Sequence, residues 1–172
     1  MAQPSFKLLW EQFPDHEKYP TLSSLHTFIG GQLARNIEEP GFGPNGNTCA
    51  VRMSRALNYG GFPISGKLLA HLKLSAMTGA DHKHYLFRVR EMKAFIASAL
   101  GVTPVTVTKD FLHAFAGRRG IVAFAVSGWS DASGHVALWD GSHFREEHDN
   151  YAASLAAAGG KAHVTSMQLW PL

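Results

Sequence analysis

A change of character near residue 120 constrains the fold of this sequence more than any other feature. Before it, apolar residues recur at helical spacing between Gly- and Pro-rich breaks; after it, Ile121-Val122-Ala123-Phe124-Ala125-Val126 is a continuous β-prone run. The run lacks apolar/polar alternation, so both faces of that strand must be covered, as in the centre of a sheet. A loop over 127–134 leads to a second strand at 135–139. Asp140-Gly141 is a hairpin signal, and a third strand is expected over 142–147. A helix at 151–158, ended by Gly159-Gly160, and a last strand at 163–170 complete the chain. Helices first and a mainly antiparallel sheet afterwards make an α+β pattern.

The first part reads as a series of amphipathic helices. Phe6, Leu9, Trp10 and Phe13 form a stripe over 5–13, with Ser5 as cap and Pro14 as stop. Leu22, Leu25, Phe28 and Ile29 form another from near Thr21, interrupted at Gly30-Gly31 and resuming through Leu33 and Ile37. A short helix is expected at 67–74, a loop at 78–83, and a clear helix at 89–100 with Gly101 as its C-cap. Asp110 is the expected cap of a further short helix closed by Gly117.

The chain has 172 residues, 45% hydrophobic and 17% charged, which suits one globular domain spanning 1–172. No apolar run approaches the roughly 18 residues of a membrane span. The net charge is +3, but the basic residues are scattered and form no stripe interleaved with aromatics, so nucleic acid is not an expected partner. The N-terminal residues lack the basic, apolar and small-residue segments of a secretory leader, so no Sec-type export is expected.

Cys49 is the only cysteine, so no internal disulfide forms. It opens a short helix bounded by the Gly/Pro-rich segment 40–46 and by Tyr59-Gly60-Gly61-Phe62-Pro63, with Asn47 as the expected N-cap. Unpaired amides and the helix dipole favour a thiolate at such a position, which suits nucleophilic catalysis; the bland alternative is an inert core cysteine. Arg52 and Arg55, further along, read as surface ion pairs.

A cysteine nucleophile needs a base and a group to orient it. With a two-residue turn at Asp140-Gly141, His135 lies directly opposite Glu146, with Cβ atoms about 5 Å apart on one sheet face. Glu146 is thus the expected orienter of His135; Asp140 in the turn is its rival and Asp149 a more distant third. A slip of one residue in register would separate the pair. Trp129 and Asp131, in the loop entering the histidine strand, and Asn47 are candidates for substrate contact. No metal site is expected: His82-x-His84 has no cysteine or carboxylate at ligand spacing, and the Gly-rich segment before Cys49 lacks a P-loop lysine. No cofactor is called for.

Several stretches carry a family resemblance: Ile29-Gly30-Gly31, then 47–54 and Leu57-Asn58-Tyr59-Gly60-Gly61, then 85–89, and 128–141 with its Gly134-His135-Val136 core. In this order, over about residues 22–147, the sequence resembles the fourth family of type VI secretion amidase effectors. The resemblance implies an NlpC/P60-type, papain-like fold and cleavage of peptidoglycan stem peptides between γ-D-glutamate and meso-diaminopimelate. It also implies injection into the periplasm of rival Gram-negative cells by the type VI apparatus, and a cognate immunity protein over the active-site groove. Cys49 matches the family's nucleophile and His135 its base; the third member is an aspartate on the strand after the histidine strand, where the hairpin register puts Glu146. Two readings from other classes stand beside this one: a non-catalytic wall-peptide or protein-binding module on the same scaffold, and an acyl transferase to an amine.

Overall fold

The computed structural model describes residues 3–38, 46–128 and 134–172. Helices α1 (Phe6–Gln12), α2 (Leu22–Ile29), α3 (Gly31–Arg35), α4 (Cys49–Tyr59) and α5 (Gly66–Leu72) come first, followed by short strands β1 (Met77–Thr78) and β2 (His84–Tyr85) and helix α6 (Val89–Leu100). Strand β3 (Val105–Val107), helix α7 (Phe111–Phe115), and strands β4 (Gly120–Ser127) and β5 (Gly134–Trp139) precede a 3₁₀ turn at Glu147–Asp149, helix α8 (Tyr151–Ala158) and strand β6 (His163–Pro171). The α+β expectation holds.

The main sheet runs β3-β6-β4-β5, with every neighbouring pair antiparallel. The apolar run at 121–126 lies in β4, an interior strand. Ile121 and Ala123 join Val136, Leu138 and Trp170 in a core with α1, α4 and α6, while Val122, Phe124 and Val126 pack on the opposite face with Phe115, Ala137, Met167 and Leu169. Both faces are dry, which is why this strand carries no alternation. Strand β5 is at the sheet edge, open to the groups that approach His135.

Helix α4 is the hub on the first face. Met53, Ala56 and Leu57 are fully buried; truncating Leu57 to Ala would cost about 2–5 kcal/mol. Its polar residues are buried too, and they staple loops. Ser54 Oγ donates to the Ala50 carbonyl and accepts from the Leu86 amide at 2.9 Å. Asn58 donates to the His84 carbonyl and accepts from the Ile64 amide.

Several local expectations need correction. The third strand at 142–147 is absent: after an isolated bridge between Trp139 and Phe144, the chain curls into the 3₁₀ turn. Asp140-Gly141 is not a two-residue turn. The Asp140 amide donates to the His143 carbonyl, and Asp140 Oδ1 accepts from the Ser142 and His143 amides at 2.7 Å each, so the loop spans four residues. The N-cap of α4 is Thr48, not Asn47, and α3 stops at Arg35, short of Ile37. Ser5 and Asp110 hold N-cap positions but make no side-chain cap bond. Strands β1, β2 and β3 are additions to the sequence reading. In contrast, α6 and its left-handed Gly101 cap lie where the periodicity put them, and Thr21 and Ser24 cap α2 reciprocally.

Candidate active site

Helix α4 presents Cys49 at its first residue, and β5 presents His135 at its second. Both are buried, each 4% exposed. Asn47 ties the two elements together: its Oδ1 accepts from the Cys49 amide at 3.0 Å, and its Nδ2 donates to the Gly134 carbonyl at 3.3 Å. The sequence reading expected Asn47 to accept a first-turn amide hydrogen, and it does, from the residue before the cap.

The imidazole of His135 is held on three sides. Its Nε2 lies 2.6 Å from Asp149 Oδ1. The Tyr151 ring packs against it with centroids 4.1 Å apart, and Phe124, its partner across β4, lies at 5.8 Å. The other nitrogen, Nδ1, is buried without a nitrogen or oxygen partner among the described residues; the group that acts on it is Cys49. Burial opposes a charge on His135, but the negative Cys49 sulfur beside it and the Asp149 carboxylate outweigh that, so its pKa is pushed up to about 9. At neutral pH the imidazole is therefore protonated.

This arrangement overturns Glu146 as the orienter. The four-residue loop advances the register by two, and the 3₁₀ turn then folds Asp149 back onto the ring. Glu146 faces elsewhere: its Oε1 accepts from the His16 amide at 2.7 Å and its Oε2 lies 2.9 Å from His16 Nδ1. Burial raises the Glu146 pKa, and the His16 hydrogen bonds and charge more than reverse this, for a net lowering. Asp140 is spent on its own turn, where Ser142 and His143 hold it. Trp129 and Asp131 lie outside the described residues.

Arg52 departs furthest from its expected surface role. It is 1% exposed, with Nε donating to Thr48 Oγ1 and its terminal nitrogens to the carbonyls of Pro14 and Tyr19 at 2.6 and 2.7 Å. Burial lowers its pKa, while Glu146, Asp149, Asp15 and Cys49 raise it by charge; a guanidinium stays protonated regardless. It is a buried positive charge close to these four side chains. It also pins segment 14–19 to α4, which carries His16 to Glu146. Arg55 instead lies over the Tyr59 ring, 3.2 Å from its centroid.

A cysteine sulfur at a helix N-terminus, an imidazole beside it and a carboxylate on the far ring nitrogen form the constellation of cysteine-based acyl transfer. Among the described residues no helix is long and apolar enough to cross a membrane.

Comparisons with known proteins fit this geometry. No curated protein matches the chain. Solved structures do: Tae4 in the Tae4/Tai4 effector–immunity system of Salmonella typhimurium is 30% identical, with 99% of each chain covered and a TM-score of 0.79. Tae4 in the Enterobacter cloacae Tae4-Tai4 effector–immunity complex is 31% identical over 99% of each chain, also at 0.79. Enterobacter cloacae Tae4 alone is 33% identical, with 99% of this chain and 98% of that one covered and a TM-score of 0.79. The fold is thus the papain-like, NlpC/P60-type fold of these effectors. The family model of the type VI secretion system amidase effector protein 4, Tae4, matches residues 45–170. The chain belongs to the Tae4 family of type VI secretion amidase effectors, antibacterial toxins that degrade peptidoglycan.

Proposed function

We propose that this effector hydrolyses its substrate through Cys49 as nucleophile, His135 as general acid and base, and Asp149 as the group orienting His135. The observation that carries the reading is the buried Cys49–His135–Asp149 line, with Asp149 2.6 Å from Nε2 and the thiol on the Nδ1 side. The Cys49 thiolate attacks the scissile carbonyl and a C–S bond forms. His135 gives its proton to the departing amine as the C–N bond breaks, leaving a thioester on Cys49. His135, now neutral, takes a proton from water, whose oxygen displaces the sulfur. The Cys49 amide, held by Asn47 Oδ1 in the resting protein, turns to the oxyanion during attack.

The bond assigned to this chemistry is the amide joining γ-D-glutamate to meso-diaminopimelate in the peptidoglycan stem, cut in the periplasm of a target Gram-negative cell. Trp129, Asp131 and Asn47 are assigned to substrate contact. The solved Tae4–Tai4 complexes support a cognate immunity protein as the partner that covers the active-site groove of this effector in the producing cell.

The test is incubation of the protein, and of Cys49→Ala, with isolated Gram-negative sacculi, followed by mass spectrometry of released fragments. Peptides ending in D-glutamate, with free diaminopimelate-containing peptides and neither from the variant, support the reading. Release of fragments cut at another amide corrects the bond. Equal release by Cys49→Ala contradicts the cysteine mechanism, and a cross-linked product formed only with added amine points to acyl transfer.

A further inference from the structure

Beside Asp149 lies a second group of titratable side chains that the proposed reaction does not use. His16, from the segment after α1, and Glu146 and His148, flanking the start of the 3₁₀ turn, bring one ligand atom each to within 4.8 Å of one another, the one such set among the described residues. We infer that His16 Nδ1, Glu146 Oε2 and His148 Nε2 form a binding site for a divalent transition cation of the Zn²⁺ class.

Three observations carry this. First, the donors are two imidazoles and one carboxylate, a set that suits Zn²⁺ and leaves a fourth position for water. Second, the carboxylate is already oriented. The Glu146 side chain is 8% exposed; its Oε1 accepts the His16 backbone N–H at 2.7 Å and lies 3.1 Å from His16 Nδ1, and its Oε2 lies 2.9 Å from His16 Nδ1 and 3.8 Å from His148 Nε2. A ligand carboxylate held by a main-chain hydrogen bond is the usual second layer of a metal site. Third, there is an entry path: the His16 and His148 side chains are 36% and 50% exposed, with ring centroids 4.4 Å apart. The His82-x-His84 pair, weighed as a metal signal in the sequence, does not belong to this set.

On binding, the ion replaces the direct contact between His16 Nδ1 and Glu146 Oε2. Residues 130 apart in sequence are then linked through the metal. His148 Nε2 is also 3.9 Å from Asp149 Oδ1, so the ion fixes the turn that places Asp149. The inference does not rest on the catalytic reading, since binding is measurable without turnover.

Cys49 and His135 are themselves zinc-binding groups, so the experiment uses the full chain carrying Cys49→Ala, stripped of metal with chelator. Zn²⁺ is added in a calorimeter and, separately, in a thermal unfolding series. The expected result is one Zn²⁺ per chain and a raised unfolding midpoint, with affinity falling by at least about 10- to 100-fold when His148→Ala is added. Should that double variant unfold, His148→Gln replaces it, since the side chain is half exposed and tolerates a polar substitute. Absence of Zn²⁺ binding by the Cys49→Ala protein overturns the inference. So does binding that is undiminished by the folded His148 variant.

Discussion

Two histidine–carboxylate pairs sit side by side in this molecule, and they differ in almost everything but composition. His135 and Asp149 meet at 2.6 Å with side chains 5% and 2% exposed; His16 and Glu146 meet at 2.9 Å with side chains 36% and 8% exposed. Only the first ring has a thiol on its other nitrogen, and that neighbour, with Asp149, raises its pKa to about 9 against the cost of burial. A contact between imidazole and carboxylate is therefore not enough to mark the pair proposed to react. Burial, the Cys49 sulfur beside the ring and a tilted aromatic ring with its centroid at 4.1 Å distinguish it.

The largest effect expected from this contrast is at the buried pair. Replacing His135 by Ala removes the proton donor and acceptor, and should lower turnover of isolated sacculi by at least about 10²- to 10⁴-fold; Cys49→Ala should leave only background. His16→Ala in the same assay should leave turnover within a few-fold of the parent, because that ring touches no reacting atom. Next comes the choice of acid. Asp149→Asn keeps the shape but cannot stabilise the imidazolium, and should cost at least about 100-fold in rate. Glu146→Gln should act on stability instead, by about 1–2 kcal/mol in denaturant unfolding. A crippling Glu146→Gln with a mild Asp149→Asn would reverse the assignment of the two pairs.

Much of this was legible in the residues themselves. The Cys49 helix, the strand bearing His135 and the interior strand at 121–126 follow from breakers, periodicity and β-propensity. The acid did not follow, because its position depends on how a loop closes. Measured along an ideal two-residue hairpin, His135 meets Glu146, but Asp140 accepts from the amides of Ser142 and His143 and widens the turn to four residues. A local signal for the curl did exist. Asn150 caps α8 through the Ala153 amide, so the chain must reverse just before it, which a straight strand to residue 147 leaves no room for. Arg52 was misread for a different reason: nothing local tells that three oxygens, on Thr48, Pro14 and Tyr19, converge on one guanidinium.

A smaller effect concerns pH. The folded-state pKa of His135 is raised from the ordinary 6.5 to about 9, so the stability contributed by its charged form is complete below about 6.5 and disappears as pH rises through about 9. The rate of amide cleavage, which needs the protonated imidazole beside the thiolate, should fall along an alkaline limb near the same pH. Glu146→Gln should leave that limb in place, whereas Asp149→Asn should move it to lower pH.

The central claim is that Cys49 and Asp149 together hold His135 as an imidazolium. An NMR titration of the His135 ring, in the parent and in Cys49→Ala, tests it most directly. The account predicts a midpoint near 9 in the parent and a clear downward shift once the sulfur is gone, since its charge is the largest of the raising influences. A parent midpoint near the ordinary histidine value, unmoved by Cys49→Ala, would contradict the ion pair and with it the mechanism.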